Sequence, residues 1–461
     1  MPSSRAYLLL GHLLFLGLFI LAIIHAVPRV VHVDSAFQFF KWTELSGIAV
    51  EAHRYTAIFP QLLVKLAMGL GLPLKGLMVV ASLAHVLVPY AIFLVIGHGM
   101  KQPWLAMGVV LAQVLATRLT FYGIVLEANY LLSYPFLLAA VLAGPMARSN
   151  DRRSFLLALV ALLLVLLVHP LGAFVALFVL LLHRLSGAAG SRQLYVLIGI
   201  AALWPFVGRL LFQPTSYESG LYTALEEGFA GPVRFSELPG FRYLVDHTAN
   251  YTTHYLLLWC VLVLLVSLLV RRKAWSITVL VLGAIAGFIL IHVWAYHAGE
   301  TAMMMEKNFL PLAVFVALPL SVELGRTSAR HQWWGLVPFA LVLFIQFRGI
   351  SFASRPARER VDRIAALVEH GREAGVRKAC ADPRALDDDG LHIHWALAFE
   401  TLLLSAQDGA EQSVTVVAST ECVTNGTCVD LSELVDGHRI CGEGDRYYQL
   451  PNGPYVLLSA H

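Results

Sequence analysis

The residues of this chain that could do chemistry are ionisable groups set beside long apolar runs, where a charge is costly and function is the default expectation. Asp34 follows the first such run and precedes the amphipathic stretch Ala36–Trp42, whose Phe37 and Phe40 share a face suited to a membrane interface. A carboxylate there can take a proton from an acceptor hydroxyl or help hold a divalent cation; it can equally cap the helix that follows. Arg54, within Glu51-Ala-His-Arg-Tyr-Thr-Ala-Ile-Phe-Pro-Gln61, can grip a phosphate bidentately or anchor its segment by snorkelling. Glu127 and Asn129, with Tyr130 and Tyr134, make a polar patch in an apolar run, and His169-Pro170 marks a turn between two others. Lys307 opens a further run, where its ammonium would meet a lipid phosphate. Residues 213–253 add Tyr217, Glu218, Tyr222, Arg234, Arg242, Asp246 and His247, the rings, hydroxyls and charges that bind a sugar. Asp34 and Glu127 are the catalytic candidates, Arg54 and Lys307 the phosphate-binding ones, and Glu51, Asn129, His169, Tyr217 and Glu306 the substrate-binding ones.

The elements that must position these groups are apolar helices. Of 461 residues, 58% are hydrophobic and only 14% charged, against about 25% charged in a soluble chain. The runs are Ala6–Val27, Gly76–Ile96, Pro103–Leu119, Phe121–Leu142, Ser154–Val168, Leu171–Leu182, Leu194–Phe212, His254–Val270, Trp275–Ala295, Phe309–Val322 and Trp333–Phe347. This pattern excludes a soluble enzyme and a β-barrel, whose strands would alternate over about 10 residues. A net charge of +3 is too small to point to nucleic acid. Tyr55–Leu72 is ambiguous, because it carries Pro60, Gln61 and Lys65. If it does not span, Arg5, Lys101, Arg148, Arg152, Arg153, Arg184, Arg192, Arg271, Arg272, Lys273, Arg326 and Arg330 share one side, as the positive-inside rule requires. The expectation is therefore eleven spans over residues 1–350, with the N-terminus cytoplasmic and the first span a retained anchor. Residues 28–75, 213–253 and 297–308 become outer loops. Residues 351–461 form a small extracytoplasmic α/β domain.

In that tail, Arg355–Glu373 reads as an amphipathic helix, His394–Ala406 as an apolar one, and Val414–Ala418 and Tyr455–Leu458 as strands. Asp387-Asp388-Asp389 reads as a solvated loop. Cys380, Cys422, Cys428 and Cys441 all fall there, and an even count in an exported domain predicts two disulfides with three connectivities. Cys260 sits within a run, as inert packing. No phosphate-cradling Gly-rich loop, His-Glu-x-x-His, nucleophile elbow or Cys-x-x-Cys is present.

An acid in the first outer loop, juxtamembrane helices, about eleven spans and an extracytoplasmic C-terminal domain resemble the GT-C superfamily of membrane glycosyltransferases, of the protein mannosyltransferase and aminoarabinose transferase type. The resemblance implies an inverting transfer of sugar from a polyprenyl-phosphate donor to a protein, lipid or polysaccharide acceptor on the outer face of the membrane. Asp34 stands in the place of the family's first-loop acid, and Glu127 resembles its second acid. Glu306-Lys307-Asn308-Phe309-Leu310-Pro311 looks like its phosphate-holding element, with Lys307 where Arg is commoner. No acidic pair occurs at Asp34-Ser35, so no cofactor is implied with certainty and a divalent cation is left open. A transporter or flippase of a lipid-linked saccharide is the alternative; the near absence of charge in the inner halves of the spans favours the enzyme. A bacterial inner membrane is the expected location.

Overall fold

The computed structural model describes residues 2–458 apart from 52, 125, 145–150, 188–191, 213–218, 221–222, 224–225, 227–233, 251–253, 327–328, 420–428, 431–438, 441–445 and 452–453. Among the described residues, six helical segments are long and apolar enough to cross a membrane: Ser4–Ile24, Leu74–Gly99, Arg192–Leu211, Trp275–Ala295, Ala302–Arg326 and Gly335–Glu373. The chain is thus a predominantly helical, polytopic membrane protein. The helices are α1 (Pro2–Ile24), α2 (Ala26–Val30), α3 (Val33–Glu44), α4 (Ile58–Gly69), α5 (Leu74–Leu94), α6 (Pro103–Leu115), α7 (Tyr134–Ala143), α8 (Arg152–Leu166), α9 (Gly172–Leu185) and α10 (Arg192–Leu211). They continue with α11 (Pro239–Ala249), α12 (Leu256–Arg271), α13 (Trp275–Ala295), α14 (Ala302–Phe309), α15 (Pro311–Arg326) and α16 (Ala329–Phe352).

Each of the eleven apolar runs contains a helix, but only six reach spanning length. At 1.5 Å per residue, the 13 residues of α6 cover roughly 20 Å of an apolar layer about 30 Å thick. Short α6 is buried on nearly every side, packed on α15. By contrast α1 turns Leu9, Leu13, Leu16, Ile20 and Ile23 outward at helical spacing, an apolar face without a protein partner. Phe121–Leu142 departs most from expectation. Two 3-10 turns, Leu119–Tyr122 and Glu127–Leu132, occupy its first half, and only the last ten residues form α7. A buried carboxylate and a backbone that needs side-chain partners interrupt that run, which composition alone reads as continuous. Tyr55–Leu72 yields α4, 12 residues, too short to span. Cys260 faces outward from α12 as a free, exposed thiol rather than packing inside.

Beyond α16 come α17 (Ser354–Glu373), β1 (Lys378–Ala381), α18 (Pro383–Asp388), α19 (Leu397–Ala406) and β2 (Thr415–Ala418). The remaining strands are β3 (Val429–Asp430), β4 (Arg439–Ile440) and β5 (Val456–Leu457). Strand β1 lies between β2 and β5, parallel to both, with Ala379 opposite Val416 on one side and Val456 on the other; β3 and β4 pair antiparallel. Asp387 and Asp388 end a short helix instead of lying in a loop. Cys380 is buried on β1, while Cys422, Cys428 and Cys441 lie outside the described residues. The tail does not stand apart. Phe39, Phe40 and Trp42 of α3 share one apolar core with Val368, Phe399, Leu403 and Val416, so α3 is covered by α19 where a lipid-facing helix was expected.

One carboxylate fixes that junction. Glu400, fully buried on α19, accepts Arg360 Nε at 2.8 Å and Nη2 at 2.6 Å, and its Oε1 also takes the backbone N–H of Val33 at 2.8 Å. Val33 has φ +35°, a left-handed conformation costing a β-branched residue about 1–3 kcal/mol. Burial holds the neighbouring His32 pKa down to about 4, so the ring stays neutral there. Removing one partner of a buried pair leaves the other uncompensated. Glu400→Ala is therefore expected to cost about 3–5 kcal/mol, read as a lowered melting temperature in detergent. The double variant Arg360→Leu/Glu400→Leu should lose clearly less.

Candidate functional site

Asp34 occupies the first turn of α3, immediately after the strained Val33. Its carboxylate makes no hydrogen bond or ion pair among the described residues and does not cap its helix, since His32 is the N-cap position and no side chain caps there. Four charged residues act on it: Lys307 and Arg54 favour its ionised form, Glu127 and Glu300 oppose it, and burial outweighs them all, raising its pKa above the ordinary carboxylate range.

The partners come from separate segments. Arg54 precedes the 3-10 turn Tyr55–Ala57, and its Nη1 donates to Glu127 Oε2 at 3.0 Å. Glu127 opens the second 3-10 turn. Lys307, 4% exposed on α14, forms no hydrogen bond or ion pair among the described residues. His169, in the turn between α8 and α9, faces Arg54, Lys307 and His292; burial, reinforced by the cations Arg54 and Lys307, pushes its pKa well below the usual imidazole value. Its Nδ1 accepts the Leu171 N–H at 3.3 Å, which leaves the proton of the neutral ring on Nε2 as a donor. Glu300 and His292 complete the set.

Asp34, Arg54, Glu127, His169 and Lys307 are thus brought together, while the other sequence candidates are not. Glu51 pairs with Lys41 of α3. Asn129 donates to Thr120 O at 3.2 Å and lines a separate small cavity with Arg29, His85, Gln113 and Thr117. Tyr217 lies outside the described residues. Glu306, next in sequence to Lys307, points elsewhere: its Oε1 accepts Arg118 N at 2.6 Å, Thr120 N at 2.8 Å and Thr120 Oγ1 at 2.6 Å, and its Oε2 accepts Leu119 N at 3.0 Å. Those four bonds saturate the carboxylate and pin the loop leading to Glu127. Sequence reasoning passed over Glu300 and His292. It also passed over Arg29, which ties α2 to α5 through Ser82 O and Oγ and to Phe121 O. Arg29 follows Pro28 directly after the first apolar run, the one signal that could have marked it.

Chemically, the cluster offers a carboxylate whose pKa is raised by burial, an ammonium with no oxygen partner among the described residues, a guanidinium steered by a second carboxylate, and an imidazole N–H. It suits a ligand that carries an anion beside a hydroxyl. Arg54 engages Glu127, and no group of three or more metal-ligating residues is assembled among the described residues. Comparison of the chain with known protein families, curated proteins and solved structures finds no match.

The adjacent residues of α14 should separate in stability. Glu306→Gln turns an acceptor toward four donors into a partial donor, at a cost of about 2–4 kcal/mol. Lys307→Met removes a buried cation with no partner and should leave the melting temperature unchanged or raise it. Equal losses in thermal unfolding would contradict this division of roles.

Proposed function

We propose that the chain is an integral-membrane glycosyltransferase of GT-C type that moves a sugar from a polyprenyl-phosphate donor to an acceptor hydroxyl, with inversion. Supporting this reading is the convergence of a partly buried Asp34, unpaired among the described residues, with Lys307, Arg54 and Glu127 from three other segments of the chain. In this scheme the donor phosphate meets Lys307, which has no protein oxygen to satisfy it, while Glu127 keeps Arg54 oriented beside it. Asp34 takes the proton from the acceptor as its oxygen attacks the anomeric carbon. The carbon–phosphate-oxygen bond breaks, and the leaving phosphate's charge is stabilised by the two cations. His169, neutral with Nε2–H, donates to a sugar or phosphate oxygen without adding charge.

The site would face the outer side of a bacterial inner membrane, with the N-terminus cytoplasmic and the tail extracytoplasmic, cross-linked by disulfides through Cys380. No nucleotide is needed there, since the donor arrives already lipid-linked. The acceptor is a protein, lipid or polysaccharide hydroxyl.

The test is turnover of radiolabelled polyprenyl-phosphate sugars by purified protein, including slow hydrolysis to water. Asp34→Asn should lower turnover about 10²-fold or more, as loss of a general base requires, with donor binding kept; Lys307→Met should weaken donor binding. A base must be ionised to act, and burial raises the Asp34 pKa. Wild-type kcat/KM should therefore fall on acidification through a midpoint above the ordinary aspartate value of about 4, and the residual activity of Asp34→Asn should lack that limb. Equal turnover by the variant would sink the role of Asp34. Tight donor binding with no turnover by either protein would favour the flippase.

A further inference from the structure

On the other face of α14 lies a cavity of about 610 Å³, within the usual range for ligand pockets. Glu306 lines it, so the two consecutive residues of α14 serve different places: Lys307 belongs to the Asp34 cluster, and Glu306 closes one wall of this cavity. The opposite wall is the C-terminal end of α16 and the start of α17.

We infer that this cavity is a second anion site, built for the phosphate headgroup of a lipid whose hydrocarbon chain lies along α16. Three guanidiniums converge on it, from Arg118, Arg348 and Arg355. Arg118 is buried and lies against α16 at Gly349, where a Cβ would meet its Nε at 2.7 Å and its Nη2 at 3.0 Å. A glycine at that position of the helix is what admits the guanidinium. Arg348 and Arg355 stand against one ring, at 5.2 and 5.4 Å from the centroid of Phe352, and neither forms an ion pair among the described residues. Two cations sharing an aromatic ring without a counter-charge suit an anion bridging them, and guanidiniums match phosphate geometry.

The carboxylates facing the cavity form no ion pair with Arg348 or Arg355 among the described residues. Glu306 is committed to the amides of residues 118–120, and Glu359 makes no ion pair among the described residues. His254, 1% exposed, lines the same space, and its Nε2 has no hydrogen-bond partner among the described residues. That orphaned nitrogen is a buried polar atom at a site able to offer it an oxygen.

What makes the ligand a lipid, and not a free phosphate, is the surface that leaves the cavity. Leu341, Phe344, Ile345 and Phe352 are exposed on α16 at spacings of three, four and seven, with Arg348 on the same face. This apolar stripe on a helix of spanning length runs directly to the arginines. A hydrocarbon chain laid along it delivers its headgroup to Arg348 and Arg355. The inference does not depend on the transfer reaction proposed above.

The experiment measures binding to full-length protein purified in phosphate-free neutral detergent, in the Lys307→Met background so that the other cluster contributes no ammonium. The probe is farnesyl phosphate, with farnesol and inorganic phosphate as controls, read by native mass spectrometry and by thermal shift. Saturable binding of farnesyl phosphate, at least tenfold tighter than either control, is expected. Arg348→Ala/Arg355→Ala should weaken it tenfold or more with no change in the unliganded melting temperature, because both side chains are exposed. Addition of Asp34→Asn should leave it unchanged. Farnesol binding as tightly as its phosphate, or the double arginine variant binding like its parent, overturns the anion site. Inorganic phosphate binding as tightly as farnesyl phosphate overturns the lipid.

Discussion

A single buried carboxylate holds the two ends of this chain in one arrangement. Glu400 has no water to solvate it and so requires donors, and it finds them in Arg360 and in the backbone of Val33. A charge of this kind is strongly directional: it fixes the backbone of the residue before Asp34 in a conformation that valine avoids. The apolar core around Phe39, Phe40 and Phe399 excludes water from the pair. The orientation of Asp34 is therefore a property of the tail domain as much as of the first helices.

The same physics separates building residues from working ones. Glu306 and Glu400 are saturated by hydrogen bonds, and each pins a loop or helix start. Lys307 is buried nearly as deeply and Asp34 partly, and neither has such partners among the described residues, so a ligand's charge can offset their desolvation. Helix α14 carries both types on consecutive positions, about 100° apart around the axis. One short helix thereby serves both places, the acid–cation cluster through Lys307 and the arginine-lined cavity through Glu306.

Much of this was legible from composition and spacing, and the exceptions share a cause. Asp34, Arg54, Glu127, His169 and Lys307 stand out because ionisable groups beside apolar runs are rare, and five segments of sequence pointed to what became one cluster. Glu51, Asn129 and Glu306 carry the same signal yet serve as structural partners, because satisfaction depends on which amides or cations arrive from elsewhere. The run Phe121–Leu142 looked like a span, since nothing in its hydropathy shows that Glu127 folds inward on 3-10 turns. In the tail, α17, α19, β2 and β5 follow their periodicities. Glu400 was visible as the lone acid of an apolar helix, but its partner Val33 is 367 positions away.

That separation sets an order on biosynthesis. Val33 is made 367 residues before Glu400, so a nascent chain holds this backbone, and the acid beside it, unanchored until Glu400 is added. At about 5–20 residues per second, the interval is roughly 20–70 s. A product cut short between residues 307 and 400 keeps every residue of the Asp34 cluster and still lacks the clamp that orders it. Synthesis as far as Glu400 is therefore a precondition for ordering this cluster, and a copy that stops short of it lacks the clamp.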